Sequence, residues 1–317
     1  MSSEPILSVL DAPGFADAVP QLCDLFARTF GRTITPQFLR WRYLENPTAG
    51  VLAAIAKTDG EAVASYSASP VNLVQNDRLL RVALSMTTMT DPRFAGRGLF
   101  TTLAARVYEG MLAERYDAVI GFPNTNSYAP FIRRLAWKPI YEIPTMSAPV
   151  ASNHRQAAIP AGVERDDQFL LAGYDQLRSD ELIATARSLE YLQWRYVRHP
   201  TNRYRTYSIP EGPHRAYCVL KPYGPNAIDV VDLQADDAAA ANILLAAVMS
   251  DAAENGVALV NAWGPRHHFL HSCLAKSGFV NGAPVTYFGA RSFGNVAGDR
   301  LFDFGNWYVQ MGDSDVY

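Results

Sequence analysis

Cysteine is scarce. Cys23, Cys218 and Cys273 are the only three in 317 residues, too few and too scattered for a disulfide framework or a thiolate zinc site. No apolar run approaches the ~18 residues that cross a bilayer. Met1 to Leu10 lacks a positive region followed by an apolar stretch, so no signal peptide is expected. An excess of charge is missing too: 28 Lys and Arg against 31 Asp and Glu leave a net −3. With no strongly basic run, neither nucleic acid nor an anionic membrane is an expected partner. The expectation is a reduced, soluble, cytoplasmic protein of open oligomeric state.

Hydrophobic residues make up 49% of the chain, enough for sizeable cores, and the length suits two domains of ordinary size. One stretch organises the reading: Thr87-Thr88-Met89-Thr90-Asp91-Pro92-Arg93-Phe94-Ala95-Gly96-Arg97-Gly98-Leu99-Phe100. It reads as a strand, a short glycine loop and a helix starting near Gly98. Backbone N–H groups at such a helix N-terminus, with the helix dipole behind them, hold phosphate.

Before that stretch, Ile6 to Leu10 reads as a strand. Phe15 to Phe30 reads as a helix ended by Gly31, and Thr35-Pro36 opens a second one through Tyr43. Val51 to Lys57 and Ala62 to Ser69 pair across a turn at Asp59-Gly60, and Leu79 to Thr90 is a longer strand. Beyond the loop, Leu99, Phe100, Leu103, Val107, Met111 and Leu112 follow the period of an amphipathic helix. Ala118 to Phe122 has no polar alternation and reads as a central strand. Pro123 to Ser127 then caps a helix running to Leu135, and Trp137 to Met146 is extended.

Ala148 to Gly162 is rich in Ala, Pro and small polar residues and reads as a linker. After it, Tyr191-Leu192-Gln193-Trp194-Arg195-Tyr196-Val197-Arg198-His199-Pro200-Thr201 matches Phe38 to Thr48, with Leu, Trp, Arg, Tyr, Pro and Thr identical in register. The elements that follow repeat the order of the first half, including strands on either side of Glu211-Gly212-Pro213. This predicts two copies of one domain, 1–150 and 163–317. At the place of the glycine loop the second copy has Gln234-Ala235-Asp236-Asp237. Aspartates suit a helix cap but repel phosphate, since two like charges at ~4 Å cost on the order of 4 kcal/mol near a surface.

On Pro92 to Phe100 with its following helix, and on Asn124 to Trp137 after an apolar strand, the chain resembles the GNAT superfamily of N-acetyltransferases, with two such domains in tandem. The resemblance implies an α/β (α+β) fold, each domain a mixed, mostly antiparallel central sheet flanked by helices. It implies acetyl-CoA as acyl donor and no metal. The family's Arg-Gly-x-Gly-x-Gly loop fits in two registers here, placing its arginine on Ala95 or on Arg93, and both registers share Gly96, Arg97 and Gly98. The cofactor-binding residues it implies are Met89, Thr90, Ala95, Gly96, Arg97, Gly98, Leu99, Phe100 and Asn126. Where the family ends its later helix in Gly-Phe, the first copy has Ala136-Trp137 and the second keeps Gly278-Phe279. The family's proton-donating tyrosine falls near Phe131-Ile132, neither of which can donate, and Tyr128, about one turn earlier, is the substitute.

The function implied is acyl-CoA-dependent N-acyl transfer, with an acetyl group passing to a primary amine of a small molecule such as an amino sugar. The alternatives are a non-catalytic acyl-CoA or metabolite-binding module, and a tandem-domain aminoacyl or fatty-acyl transferase. Asn124 stands with Asn126, Ser127 and Tyr128 at a strand's C-terminal end, where open sheets place their crevices. The tail from Phe304 to Tyr317, aromatic then acidic, is expected to dock back and bring Asp313 or Asp315 to an amine; Asp315 is taken with Tyr128 and Asn124 as a catalytic candidate. Glu45 reads as an exposed helix-end charge. Asp229 and Asp232 are expected on opposite faces of one strand. His267 and His271 are four apart on one helical face, a spacing that could bind metal or place a base in a cleft, but they read first as ordinary surface histidines. The two Trp-Arg-Tyr segments read as structural.

Overall fold

The structure is a computed structural model that describes residues 4–76, 78–151, 159–169, 181–210, 215–294, 298–315 and 317. The chain divides into two compact units. The first takes Met1–Leu73, Leu79–Tyr141 and Tyr287–Phe302; the second takes Val74–Arg78, Glu142–Thr286 and Asp303–Tyr317. The anticipated boundary near 150–163 therefore falls inside the second unit, and each unit draws on both halves of the sequence. Residues 152–158 of the expected linker and 211–213 of the expected turn lie outside the described residues.

In the first unit, β1 (Ile6–Leu10), β2 (Leu52–Thr58) and β3 (Glu61–Gln75) are successive antiparallel neighbours. Next come β4 (Arg78–Thr90) and β5 (Ala118–Gly121), which run parallel and pair only through Val82–Leu84 and Ala118–Ile120. The helices are α1 (Ala12–Phe30), α2 (Pro36–Tyr43), α3 (Leu99–Ala113) and α4 (Thr125–Arg134). Asp11 and Thr35 cap the first two through their side chains, each followed by a proline in the first turn. The apolar stripe of α3, including Leu103, Val107 and Met111, buries against Ala54, Ala56, Ala64, Ala83 and Val119. Those small side chains on the sheet let the helix lie close. Strand β6 (Lys138–Pro149) starts in this unit and ends in the second.

The second unit repeats the plan. Its elements are β7 (Glu164–Arg165), β8 (Ala184–Thr185), α5 (Leu189–Leu192), β9 (Arg205–Ile209), β10 (Ala216–Tyr223), β11 (Ala227–Ala235), α6 (Ala238–Glu254), β12 (Leu259–Ala262) and α7 (Phe269–Lys276), and β13 (Val280–Ser292) starts in this unit and ends in the first. Strands β7, β9, β10 and β11 are antiparallel neighbours, and β11 runs parallel to β12. The first unit's α2 is an α-helix, but Gln193–Val197 in its repeat is a π-helical turn, closed by Arg198 N–H donating to the Gln193 carbonyl at 2.8 Å.

Closing strands come from distant sequence. In the first unit β5 pairs antiparallel with Gly289–Ser292 of β13, and in the second β12 pairs with Met146–Pro149 of β6. The expectation for Asp229 and Asp232 is corrected by a bulge. Val219 faces Asp232 while Leu220 faces Val230, so Val231 is an extra residue. One extra residue reverses the alternation. Asp229 and Asp232 therefore share the face opposite the α6 core. His267 is likewise not helical: α7 begins after its cap, His268.

Candidate functional site

The site is built where β4 leaves β5. Beyond Leu84 the parallel pairing stops, and Thr87 takes a left-handed backbone angle, φ 49°. Such an angle in a β-branched residue persists only where its surroundings hold it. Here the Tyr43 hydroxyl grips it, bonding the Met86 carbonyl at 3.3 Å and contacting the Thr87 hydroxyl. The tyrosine of the first Trp-Arg-Tyr segment thus braces the kink in β4. Met89 is buried and Thr90 half-buried at the end of that strand.

Asp91 anchors the loop that follows. Its side chain is 2% exposed and takes Arg28 Nε at 2.9 Å and Arg93 NH2 at 2.8 Å, while its own N–H donates to the Val63 carbonyl. These cationic hydrogen bonds, Arg93 foremost, hold the carboxyl far below the usual carboxylate range. Arg93 is thereby committed to Asp91. Pro92–Phe94 forms one 3₁₀ turn, and the chain reaches α3 through Ala95, Gly96, Arg97 and Gly98, all exposed. Gly96 and Gly98 have φ of 77° and 76°, which explains glycine at both.

Gly98 caps α3 without any side-chain hydrogen bond. Its carbonyl is claimed by Thr101 Oγ1 at 2.8 Å and by Thr102 N and Oγ1 at 3.1 Å. In a trans peptide the N–H of Leu99 then points the opposite way, out of the helix end. Among the described residues no acceptor meets the N–H groups from Gly96 to Phe100. Arg97 lies with its guanidinium 4.7 Å from the Phe94 ring centre, without a carboxylate partner among the described residues. Unanswered amides, an unopposed cation and a bare helix terminus fit a pyrophosphate. The aromatic pair Phe100–Phe131 packs at the base of the loop, centroids 5.3 Å apart.

The start of α6, the corresponding place in the second unit, is built differently among the described residues. At the start of α6 the Asp237 side chain accepts the Ala240 N–H at 2.9 Å, and Asp236 pairs with Arg215 at 3.0 Å. The helix end is closed by the chain's own carboxylate. Over β11 lies the tail. Asp313, Arg187 and Asp232 form a buried ion-paired chain, with Arg187 2.9 Å from Asp313 and 2.8 Å from Asp232. Tyr196, the repeat counterpart of Tyr43, donates to Asp232 at 3.0 Å. Tyr308 donates to the Leu233 carbonyl. Gly312 sits so close that a Cβ there would meet Tyr196 Oη and lie 3.0 Å from the Val231 carbonyl. Arg195 donates to the carbonyls of Gly312 and Tyr317.

The other residues singled out by sequence have these places. Asn124 is the cap of α4, its Oδ1 accepting from the N–H groups of Asn126 (3.0 Å) and Ser127 (3.1 Å) while Ser127 Oγ accepts the Asn124 N–H. Asn126 is exposed in the first turn. Tyr128 is half-buried and stacks on Tyr287, ring centroids 4.1 Å apart and planes 19° apart. Asp315 is exposed and belongs to the second unit. Glu45 is exposed. His267 Nε2 meets the Trp307 carbonyl at 2.8 Å, His268 caps α7, and His271 faces Asn281. Among the described residues no group of three His, Cys, Asp or Glu side chains could hold a metal ion, and no helix is long and apolar enough to cross a membrane.

Tyr287 was missed by sequence reasoning. Only the β13 register, with Gly289 opposite Gly121, carries it to the end of β5. The aromatic layer beneath the site was also hidden. Trp137 Nε1 donates to the Tyr108 hydroxyl at 2.8 Å, which meets Tyr66 at 2.8 Å, and Arg291 covers Tyr108 at 4.7 Å. Burial pushes the Tyr108 phenol up to about 12, so it stays protonated as a structural donor.

The sequence from 15 to 140 matches the family described as Acetyltransferase (GNAT) domain. The matched segment holds the kinked β4, the glycine loop, α3 and α4. Solved structures share the fold over more than this segment. A probable N-acyltransferase from Enterococcus faecalis V583 superposes with a TM-score of 0.70 at 12% identity, covering 92% of this chain and 73% of its own. A GCN5-related N-acetyltransferase from Kribbella flavida gives 0.68 at 15%, covering 91% and 71%. One from Anabaena variabilis ATCC 29413 gives 0.63 at 11%, covering 91% and 73%. No curated protein matches the sequence.

Proposed function

We propose that this chain is an acyl-CoA-dependent N-acyltransferase that moves an acetyl group from acetyl-CoA to a primary amine of a small molecule, an amino sugar being the acceptor class to try first. The observation that carries the reading is the open N-terminus of α3, where among the described residues no acceptor meets the N–H groups of Gly96 to Phe100 and no carboxylate meets Arg97. In this reading those amides and Arg97 hold the pyrophosphate, and the Met89–Thr90 end of β4 offers backbone groups to the amide-bearing arm. Acyl-CoA supplies the thioester. Transfer forms a C–N bond and breaks a C–S bond, so one proton leaves the acceptor nitrogen and one must reach the departing sulfur. Tyr128, in the first turn of α4, is the proposed donor to sulfur. The second unit, its helix end capped and its strand covered by the tail, serves as scaffold and binds no acyl-CoA.

One observation favours a second reading. The family's usual donor position falls on Phe131, which is buried in an aromatic cluster, and on Ile132. A chain without a donor would bind acyl-CoA and pass on a signal without turnover. Release of free thiol from acetyl-CoA, measured with a panel of primary amines including glucosamine, separates the two.

The cofactor assignment is tested by Gly98→Asp beside Gly98→Asn. Both side chains tolerate a left-handed backbone, but only aspartate brings a charge. Acetyl-CoA should raise the melting temperature of the wild type and of Gly98→Asn, and leave Gly98→Asp unmoved. Equal shifts in all three would sink the assignment.

A further inference from the structure

We propose that Tyr287 is a positioning residue for Tyr128, delivered to the GNAT domain by a strand that lies outside the matched segment. The proposal rests on the reading of Tyr128 as the donor to the leaving sulfur. Tyr128 is fixed at its backbone, because Asn124 and Ser127 form a reciprocal cap around the first turn of α4. Its ring is half-buried and set by two side-chain torsions. Tyr287 lies parallel to it, centroids 4.1 Å apart and planes 19° apart, and restricts both torsions.

Tyr287 is itself well held. Its N–H donates to the Pro123 carbonyl at 3.4 Å, one residue before the α4 cap. Its neighbour Phe288 is fully buried and stacks on Phe122, centroids 5.0 Å apart and planes 18° apart. Gly289 then packs so closely that a Cβ would lie 3.1 Å from the Lys138 carbonyl. Two consecutive residues of β13 thus stack on two different aromatics, Phe122 just after β5 and Tyr128 on α4. A strand with its register locked by that pair cannot slide without moving the Tyr128 ring. Because reaction rate falls steeply when a reacting group is misplaced by even about 1 Å, a wall that fixes the donor is expected to act on turnover and not on cofactor affinity.

The test compares Tyr287→Phe, which keeps the ring, with Tyr287→Ala and Tyr287→Leu, which remove it. Tyr287→Leu keeps apolar bulk should the alanine variant fold poorly. Protein labelled with ¹³C at tyrosine Cζ gives one signal for Tyr128, assigned by its loss in Tyr128→Phe. That signal should stay sharp in Tyr287→Phe and broaden or shift in Tyr287→Leu, whatever the turnover. Thiol release from acetyl-CoA, with the amine that turns over fastest, should show kcat unchanged in Tyr287→Phe and about tenfold lower in Tyr287→Leu, with KM for acetyl-CoA unchanged. Adding Tyr287→Leu to Tyr128→Phe should cost nothing more, since the group being positioned is already gone.

The outcomes are separable. If Tyr128→Phe lowers kcat and Tyr287→Leu changes neither the signal nor kcat, the positioning role is wrong and the donor reading stands. If Tyr287→Phe falls as far as Tyr128→Phe, the Tyr287 hydroxyl itself reacts and positioning is again wrong. Additive losses in the double variant would point to general packing and overturn the proposal. A Tyr128→Phe enzyme with full kcat would end the donor reading together with the role inferred from it.

Discussion

Arg93 closes a fork around Asp91, with Nε 3.0 Å from Oδ1 and NH2 2.8 Å from Oδ2. Four residues on, Arg97 lies over the Phe94 ring and meets no carboxylate among the described residues. The two arginines of the loop should therefore fail in different ways. Arg97→Ala should weaken acetyl-CoA binding about tenfold, the scale of one charge-assisted phosphate contact, and leave the melting temperature in place. Arg93→Ala should lower the melting temperature with a smaller loss of affinity. Isothermal titration calorimetry beside thermal unfolding resolves the pair, and the reverse pattern would put the family's arginine on Arg93.

Ala136 follows α4 at φ 54°, and its counterpart Gly278 follows α7 at φ 88°. Both helices end on a left-handed residue, but only the second uses glycine for it. Ala136→Gly should stabilise the chain by about 1 kcal/mol, the relief of a left-handed alanine less the added freedom of the unfolded glycine. Denaturant unfolding would detect a raised midpoint at unchanged slope. A lowered midpoint would mean that Ala136 makes contacts worth more than its strain.

Burial, followed by the charge of neighbouring His267, lowers the His268 pKa from 6.5 to about 4. The unfolded chain accepts this proton first, so the contribution is complete above pH 6.5 and is lost as pH falls towards 4. His268 accepts the Leu270 N–H through Nδ1 as the α7 cap, a task asparagine performs equally well. His268→Asn should flatten stability against pH between 4 and 6.5 while changing it little at pH 8. An unchanged slope would show that another group carries the dependence.

Arg187 stands between Asp232 and Asp313, with all three side chains at most 7% exposed. Arg187→Ala would leave two buried carboxylates without their cation, a loss of about 3–5 kcal/mol. Converting both aspartates to asparagine in that background should recover a large part of it. Failure to recover would mean that the shape of the arginine, not its charge, holds the tail.

Much of the fold was legible because it is written in local periodicity. The α3 stripe, the Asp59-Gly60 turn and the repeated Trp-Arg-Tyr segments each depend on residues a few positions apart. The glycine loop was legible too, since Gly96 and Gly98 carry a backbone requirement that shows in composition. Three features were not. Tyr287 reaches the site through a pairing across more than half the chain, and no local pattern encodes its partner. The face of Asp229 depends on Val231 being extra, and a bulge leaves no mark in a run of Val and Asp. The tail's seat on β11 depends on Gly312 lacking a Cβ, one glycine among 21.

The distant origin of the strand that closes β5 has a consequence for how the protein is made. Strand β5 leaves the ribosome with only β4 beside it, and its antiparallel neighbour Gly289–Ser292 is still untranslated. At ~5–20 residues per second that edge, Ala118 to Gly121, waits roughly 10–30 s for its partner. An uncovered apolar edge is a template for pairing with another chain. The matched segment cannot finish folding while the chain is still being made, however complete its motifs, and a gene cut after residue 150 should yield aggregate.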